Sequence, residues 1–205
     1  MNYYGILIGI ILFFILKIVI TSSGNHHGAK DKEQFWARES KANAVRRADI
    51  SNLDYIRLPL ERLPLDILRN IGEDSLVDEL TRLADKDILN LSMYTNTDLK
   101  MMYGPANLDT LIECDNNFTS LIRILDKMAE ILLESGQPDH ARCILEYAIA
   151  IGSDISTTYI HLGDIYASAK KSELLDMLIQ KAETLSSLSR QTIINKLNSI
   201  KSGVK

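Results

Sequence analysis

Eighteen consecutive positions, Tyr3 to Ile20, carry one charge, Lys17, and otherwise only aliphatic, aromatic and glycine residues. As a helix this run extends about 27 Å at 1.5 Å per residue, close to the roughly 30 Å hydrocarbon core of a bilayer. Tyr3 and Tyr4 at one end suit the interfacial region, and Lys17 near the other has a stem long enough to bring its ammonium to the headgroups. The run exceeds the apolar length of a signal peptide, no Lys or Arg precedes it, and Thr21-Ser22-Ser23-Gly24 gives no small-x-small cleavage pattern. Residues 1–21 are therefore expected to be a retained transmembrane anchor.

Charge sets the expected orientation. Residues 1–16 hold no Lys or Arg, whereas residues 30–47 hold six against three acids. The positive-inside bias then places the N-terminus outside and the C-terminal part in the cytoplasm of a single-pass protein of the cell membrane. With a total charge of −4, Lys17 and this basic stretch together leave residues 48–205 at −8. An acidic body without a basic stripe argues against nucleic-acid binding.

Beyond the anchor, residues 22–31 are small and polar and read as a flexible linker. His26-His27 within it lack further ligands at metal spacing, so no metal site is expected. Residues 32–105 read as a helical and connector region. Helix is favoured from Lys32 to Asp49, with Glu39 loosely paired to Lys41 or Arg46 and Trp36 expected to pack on the body. Two Leu-Pro-Leu units follow, and Pro59 and Pro64 suit first positions of short helices. Their apolar neighbours either dock on later helices or face a partner, and docking is the expected outcome because contiguous exposed apolar patches are uncommon. Apolar spacing gives a helix over Asp74–Asp85, a second short helix over Asp87–Met93, and a third capped by Thr97 or Asp98 and closed by Gly104-Pro105.

Residues 106–201 contain a repeat. Setting Ile122–Ile155 above Ser156–Ser189 gives a period of 34 residues in which Leu125 matches Tyr159, Met128 matches Leu162, Ala129 matches Gly163, Leu132 matches Tyr166, Leu145 matches Ile179 and Ala148 matches Ala182. The small Ala129 and Gly163 permit close helix approach while their large neighbours fill the space between helices. Gly136-Gln137-Pro138-Asp139 and Gly152-Ser153-Asp154 read as turns with acidic caps. A stack of repeats buries its faces only against neighbours. Residues 107–118 are expected to cover one end, and an amphipathic helix with Leu188, Ile193, Ile194, Leu197 and Ile200 the other.

The period, the pattern Tyr159-x-x-Leu162-Gly163-x-x-Tyr166 and the pattern Ala141-x-x-x-Leu145-x-x-Ala148 resemble the tetratricopeptide-repeat family over about residues 118–189. Departures are Leu175 in place of the family's second-helix alanine, and Ser153 and Ser187 where it usually has proline. Residues 32–105 are similar to uncharacterised bacterial single-pass membrane proteins, a likeness that brings no activity. The repeat resemblance implies an all-α fold of antiparallel helix pairs whose first helices line a groove for an extended peptide or a partner helix. By that resemblance the groove residues are Arg123, Asp126 and Glu130 in the first unit and Thr157, Ile160 and Asp164 in the second. Three acids and one arginine favour a basic or mixed partner.

Catalysis is not expected, since the chain has no GxGxxG, Walker A, HExxH or GxSxG pattern. Cys114 and Cys143 are too few for a disulfide framework, Cys143 reads as a small core residue, and no cofactor is implied. The expected function is a membrane-anchored adaptor that recruits a protein partner. The alternatives are a structural subunit of a larger assembly, with an anchor-mediated dimer through the small-xxx-small pair Gly5 and Gly9, and an extracytoplasmic binding domain.

Overall fold

The computed structural model describes residues 31–203. The anchor expected over residues 3–20, with Gly5 and Gly9, and nearly all of the linker lie outside the described residues. Among the described residues the protein is all-helical, with no strand, and no helix there is long and apolar enough to cross a membrane. In chain order the helices are α1 (31–43), α2 (Leu65–Asn70), α3 (Asp74–Ala84), α4 (Asn96–Tyr103), α5 (Leu108–Glu134), α6 (Pro138–Ala150), α7 (Ser156–Ser168), α8 (Ser172–Glu183) and α9 (Arg190–Gly203). Short 3-10 turns occupy Leu60–Arg62 and Pro105–Asn107. They form two compact units that interleave along the chain: the described residues up to Asp49 with Thr95–Leu108, and Ile50–Tyr94 with the chain from Asp109 onward.

In the first unit α1 and α4 are held by polar contacts around buried Ala42 and Leu99. Glu39 accepts hydrogen bonds from Lys100 and from the Thr97 hydroxyl, and Arg38 pairs with Asp98. The pairing of Glu39 with Lys41 or Arg46 expected from sequence is thus replaced by a partner more than fifty residues away. α4 begins with a capping box two or three residues earlier than expected: the Thr95 hydroxyl accepts from the Asp98 amide while the Asp98 carboxylate accepts from the Thr95 amide. Asn107 is fully buried and closes the unit. Its amide nitrogen donates to the Ala48 and Tyr103 carbonyls at 2.8 and 2.7 Å, and its oxygen accepts from Arg47 Nε at 3.0 Å. Trp36 does not pack as expected; it is 65% exposed, with its ring edge-to-face on Phe35.

The second unit is built on α5, which has no Gly or Pro to interrupt it through 27 residues. Residues 107–118, expected to cover one end of the stack, mostly form its N-terminal half. α6 starts at Pro138 and α8 at Ser172, one 34-residue period apart, and α7 and α9 alternate with them. At the ends of α5 and α6, Gly136 and Gly152 take positive φ (70° and 97°). The amides of Gly136 and Gln137 close onto Leu133 and Leu132, and those of Gly152 and Ser153 onto Ile149 and Ala148. Neither turn places an acid at the N-cap: Pro138 opens α6 after Gln137, and Ile155 precedes α7.

One core runs from Leu63 and Leu68 through Phe118, Leu125, Met128 and Leu145 to Tyr159, Leu162, Ile193 and Leu197. The N-terminal end of the stack is therefore covered by residues 56–88, with Leu68, Val77, Leu80, Leu83 and Ile88 buried in that core. The Leu-Pro-Leu connector docks, as Leu58, Leu60, Leu63 and Leu65 all pack there, although Pro59 and Pro64 precede their helices by one residue. Residues 87–93, expected to be helical, run without helix along α5. The Leu89 amide donates to the Cys114 carbonyl, the Leu91 amide to the Asp115 carboxylate, and Asn117 to the Asp87 carbonyl. At the other end α9 packs on α7 and α8 where Gly163 lets it approach: a Cβ there would sit 2.6 Å from Leu197 Cδ2. Lys201 of α9 also pairs with Asp176 of α8. Leu188 is not part of this cap and is fully exposed.

Candidate partner-binding groove

Positions 123, 126 and 130 lie along one face of α5, and 157, 160 and 164 along one face of α7, because residues three, four and seven apart share a helix face. The structure joins two of these six directly. The Thr157 hydroxyl donates to Asp126 Oδ2 at 2.7 Å, and the neighbouring Thr158 hydroxyl donates to Asp126 Oδ1 at the same distance. Thr158 is fully buried, so Asp126 is a clamp between α5 and α7. One carboxylate oxygen takes the buried Thr158 hydroxyl and the other the exposed Thr157 hydroxyl.

The remaining five stay on the surface to different degrees. Arg123, Thr157 and Asp164 are exposed, while Glu130 and Ile160 are half-buried. Glu130 accepts from Lys127 at 2.7 Å; that ammonium, with a smaller contribution from His161, holds its carboxyl below the usual range. The segment 50–94 makes polar contacts with α6, where the Cys143 thiol meets the Arg62 carbonyl at 3.6 Å and the Tyr147 hydroxyl meets the Arg57 carbonyl, and with the N-terminal half of α5.

Of the six, Asp164 lines a cavity. That cavity, about 480 Å³, opens at the C-terminal end of α7 beside the start of α6. Leu133, Pro138, Ile165 and Ala169 make its apolar surface, and Asp139, His161, Asp164 and Ser168 its polar one. Asp139 and His161 were not anticipated as groove residues. Their signal in the sequence was indirect: Asp139 follows the turn at Gly136, and His161 lies three residues before Asp164, on the same face of α7. Among the described residues Asp164 forms no ion pair, and Asp139 has only Arg142 Nε at 3.8 Å. Arg142 is engaged more closely by Glu146, at 3.0 Å.

A second cavity of about 510 Å³ lies between α6, α7 and α8 and is mainly apolar, with Ile149, Leu162, Leu174, Met177 and Leu178 in its wall. Its acid, Glu146, is satisfied by Arg142 and by the Tyr166 hydroxyl at 2.9 Å. Burial, reinforced by that carboxylate, pushes the Tyr166 phenol well above its ordinary value. Nearby, fully buried Tyr159 has a hydroxyl with no hydrogen-bond partner among the described residues, and burial pushes its phenol up to about 12. Among the described residues there is no group of three or more His, Cys, Asp or Glu placed to hold a metal ion.

Comparison with protein-family models, with curated proteins and with solved structures returned no match to this chain.

Proposed function

We propose that the protein is a membrane-anchored interaction module of tetratricopeptide-like architecture, which takes a protein partner into the α5–α7 groove and holds it beside the bilayer. The observation that carries this reading is an open groove face: Arg123, Thr157 and Asp164 are exposed and a cavity adjoins Asp164, on a stack whose two ends are both covered. A repeat face left open after the ends are closed is a surface available for binding. The acids there, in a body that carries −8, favour a basic or mixed peptide or helix and disfavour nucleic acid.

In this reading residues 3–20 span the cell membrane once, with the N-terminus outside and the helical units in the cytoplasm. Anchoring raises the effective concentration of the groove towards other membrane-associated chains, and the protein performs no catalytic step. Gly5 and Gly9 favour a second reading, in which the anchor also associates with other helices as part of an assembly or a dimer.

Cross-linking mass spectrometry on intact membranes tests the proposal, comparing the tagged full-length chain with one lacking residues 1–22. The expected result is a partner linked to residues 123–164 that is lost, along with sedimentation in the carbonate-washed membrane fraction, when the anchor is removed. Links confined to residues 1–22 would favour the assembly reading. A full-length chain that washes off membranes would defeat the anchor.

A further inference from the structure

We propose that the cavity between α7 and the start of α6 is a specificity pocket for one basic side chain, Lys or Arg, of the bound peptide. The inference rests on the groove reading above and adds what the groove selects. The pocket has two parts with different chemistry. Leu133, Ile165 and Ala169 give an apolar wall suited to the methylene stem of a long side chain, which is stabilised by burying carbon while its charged head stays polar. Asp139 and Asp164 supply two carboxylates, from different helices, and no Lys or Arg is among the lining residues.

The distribution of ion pairs around the pocket points the same way. Asp126 is committed to two threonine hydroxyls, and Glu130 to Lys127. Glu146 takes Arg142 at short range and so draws that guanidinium away from Asp139. Among the described residues Asp164 forms no ion pair. Of these five acids, Asp139 and Asp164 are the two left without a close partner, and both line the cavity. A peptide cation entering it meets a negative potential that the protein has not neutralised itself, and charge complementarity of this kind selects partners and speeds their encounter. A neutral side chain of the same length gains only the wall, and an acidic one is repelled.

The test uses the full chain in lipid nanodiscs and fluorescein-labelled twelve-residue peptides of Gly, Ser and Ala with one central residue: Arg, Lys, citrulline, norleucine or Glu. Anisotropy titration is expected to show the Arg and Lys peptides binding at least tenfold more tightly than the citrulline and norleucine ones. The double variant D139N/D164N should lose that preference while leaving citrulline binding unchanged. A control that removes the same charge elsewhere on the surface, D66N/E113Q, should keep it. Equal affinity for Arg and citrulline, a preference that survives D139N/D164N, or no binding by any peptide overturns the pocket. None of those results affects the groove itself, which stands or falls on where a native partner cross-links; a partner held on α5 and α7 without any basic preference would leave the groove and remove the pocket.

Discussion

Lys170 occupies, at the end of α7, the place that Gly136 and Gly152 fill at the ends of α5 and α6. Its φ of 56° is left-handed, and the amides of Lys170 and Lys171 close onto Ala167 and Tyr166 as the glycine turns do. For a residue with a Cβ that conformation costs roughly 1–2 kcal/mol. Lys170→Gly is therefore expected to raise stability by about 1 kcal/mol, some of the gain being offset by glycine's greater freedom when unfolded. A higher urea midpoint at unchanged slope is the result that would show it. Asp126 behaves in the opposite sense. Asp126→Ala leaves the Thr158 hydroxyl buried without an acceptor and should cost about 1–3 kcal/mol. The companion Thr158→Val should cost little more in that background than alone, because the two changes remove one interaction. The same contact changes how the groove is to be probed, since reversing the charge of Asp126 would loosen α5 from α7 as well as alter the surface, whereas Asp164 can be changed without breaking an internal bond.

At the scale of elements, the pairing of α1 with α4 is the part most exposed to acid. Glu39 is held below the usual carboxylate range chiefly by the hydrogen bond from Lys100 and then by that from Thr97. Asp98 is held down chiefly by its bonds with Thr95, with Arg38 contributing less. Because both folded-state values lie below the unfolded ones, the unfolded chain binds more protons in this range. The contribution is complete above the ordinary carboxylate value and is lost as pH falls through the lowered ones. Hydrogen exchange should show residues 31–49 losing protection between neutral pH and about pH 3 before α5 to α8 do, and equal loss in both would refute the assignment. The later helices were legible in the sequence because their apolar residues recur at helical spacing and turns punctuate them, as at Gly136 and Gly152. The all-α class followed from that pattern. Two elements were misread for identifiable reasons. Residues 107–118 were expected to cover one end of the stack, but no breaker divides Leu108 from Glu134 and they run on as part of α5. Residues 87–93 have helical apolar spacing, but their amides find better partners on Cys114 and Asp115 of α5, a competition that local sequence does not display. The pocket was missed similarly: Asp164 was expected on the groove, but the partner of Asp139 depends on Arg142 preferring Glu146.

For the molecule as a whole, one core couples residues far apart in sequence. Leu80 of α3 is fully buried in it with Leu121, Leu125 and Leu145. Leu80→Ala should cost about 2–5 kcal/mol, and the loss of exchange protection should appear in α5 and α6 as well as in α3. Loss confined to α3 would mean that it is an appendage and not the cover of the stack. The interleaving of the two units has a further consequence. The chain leaves the larger unit at Tyr94 and returns to it at Asp109, so the smaller unit is completed by a stretch from each side of an exposed run, Ser92 to Asn96. A single cut in that run yields two polypeptides, each holding part of both units. Neither piece can bury its own apolar surface alone, so the halves should behave as split-protein partners: co-expressed, they reconstitute and migrate as one species until denatured, and apart they aggregate.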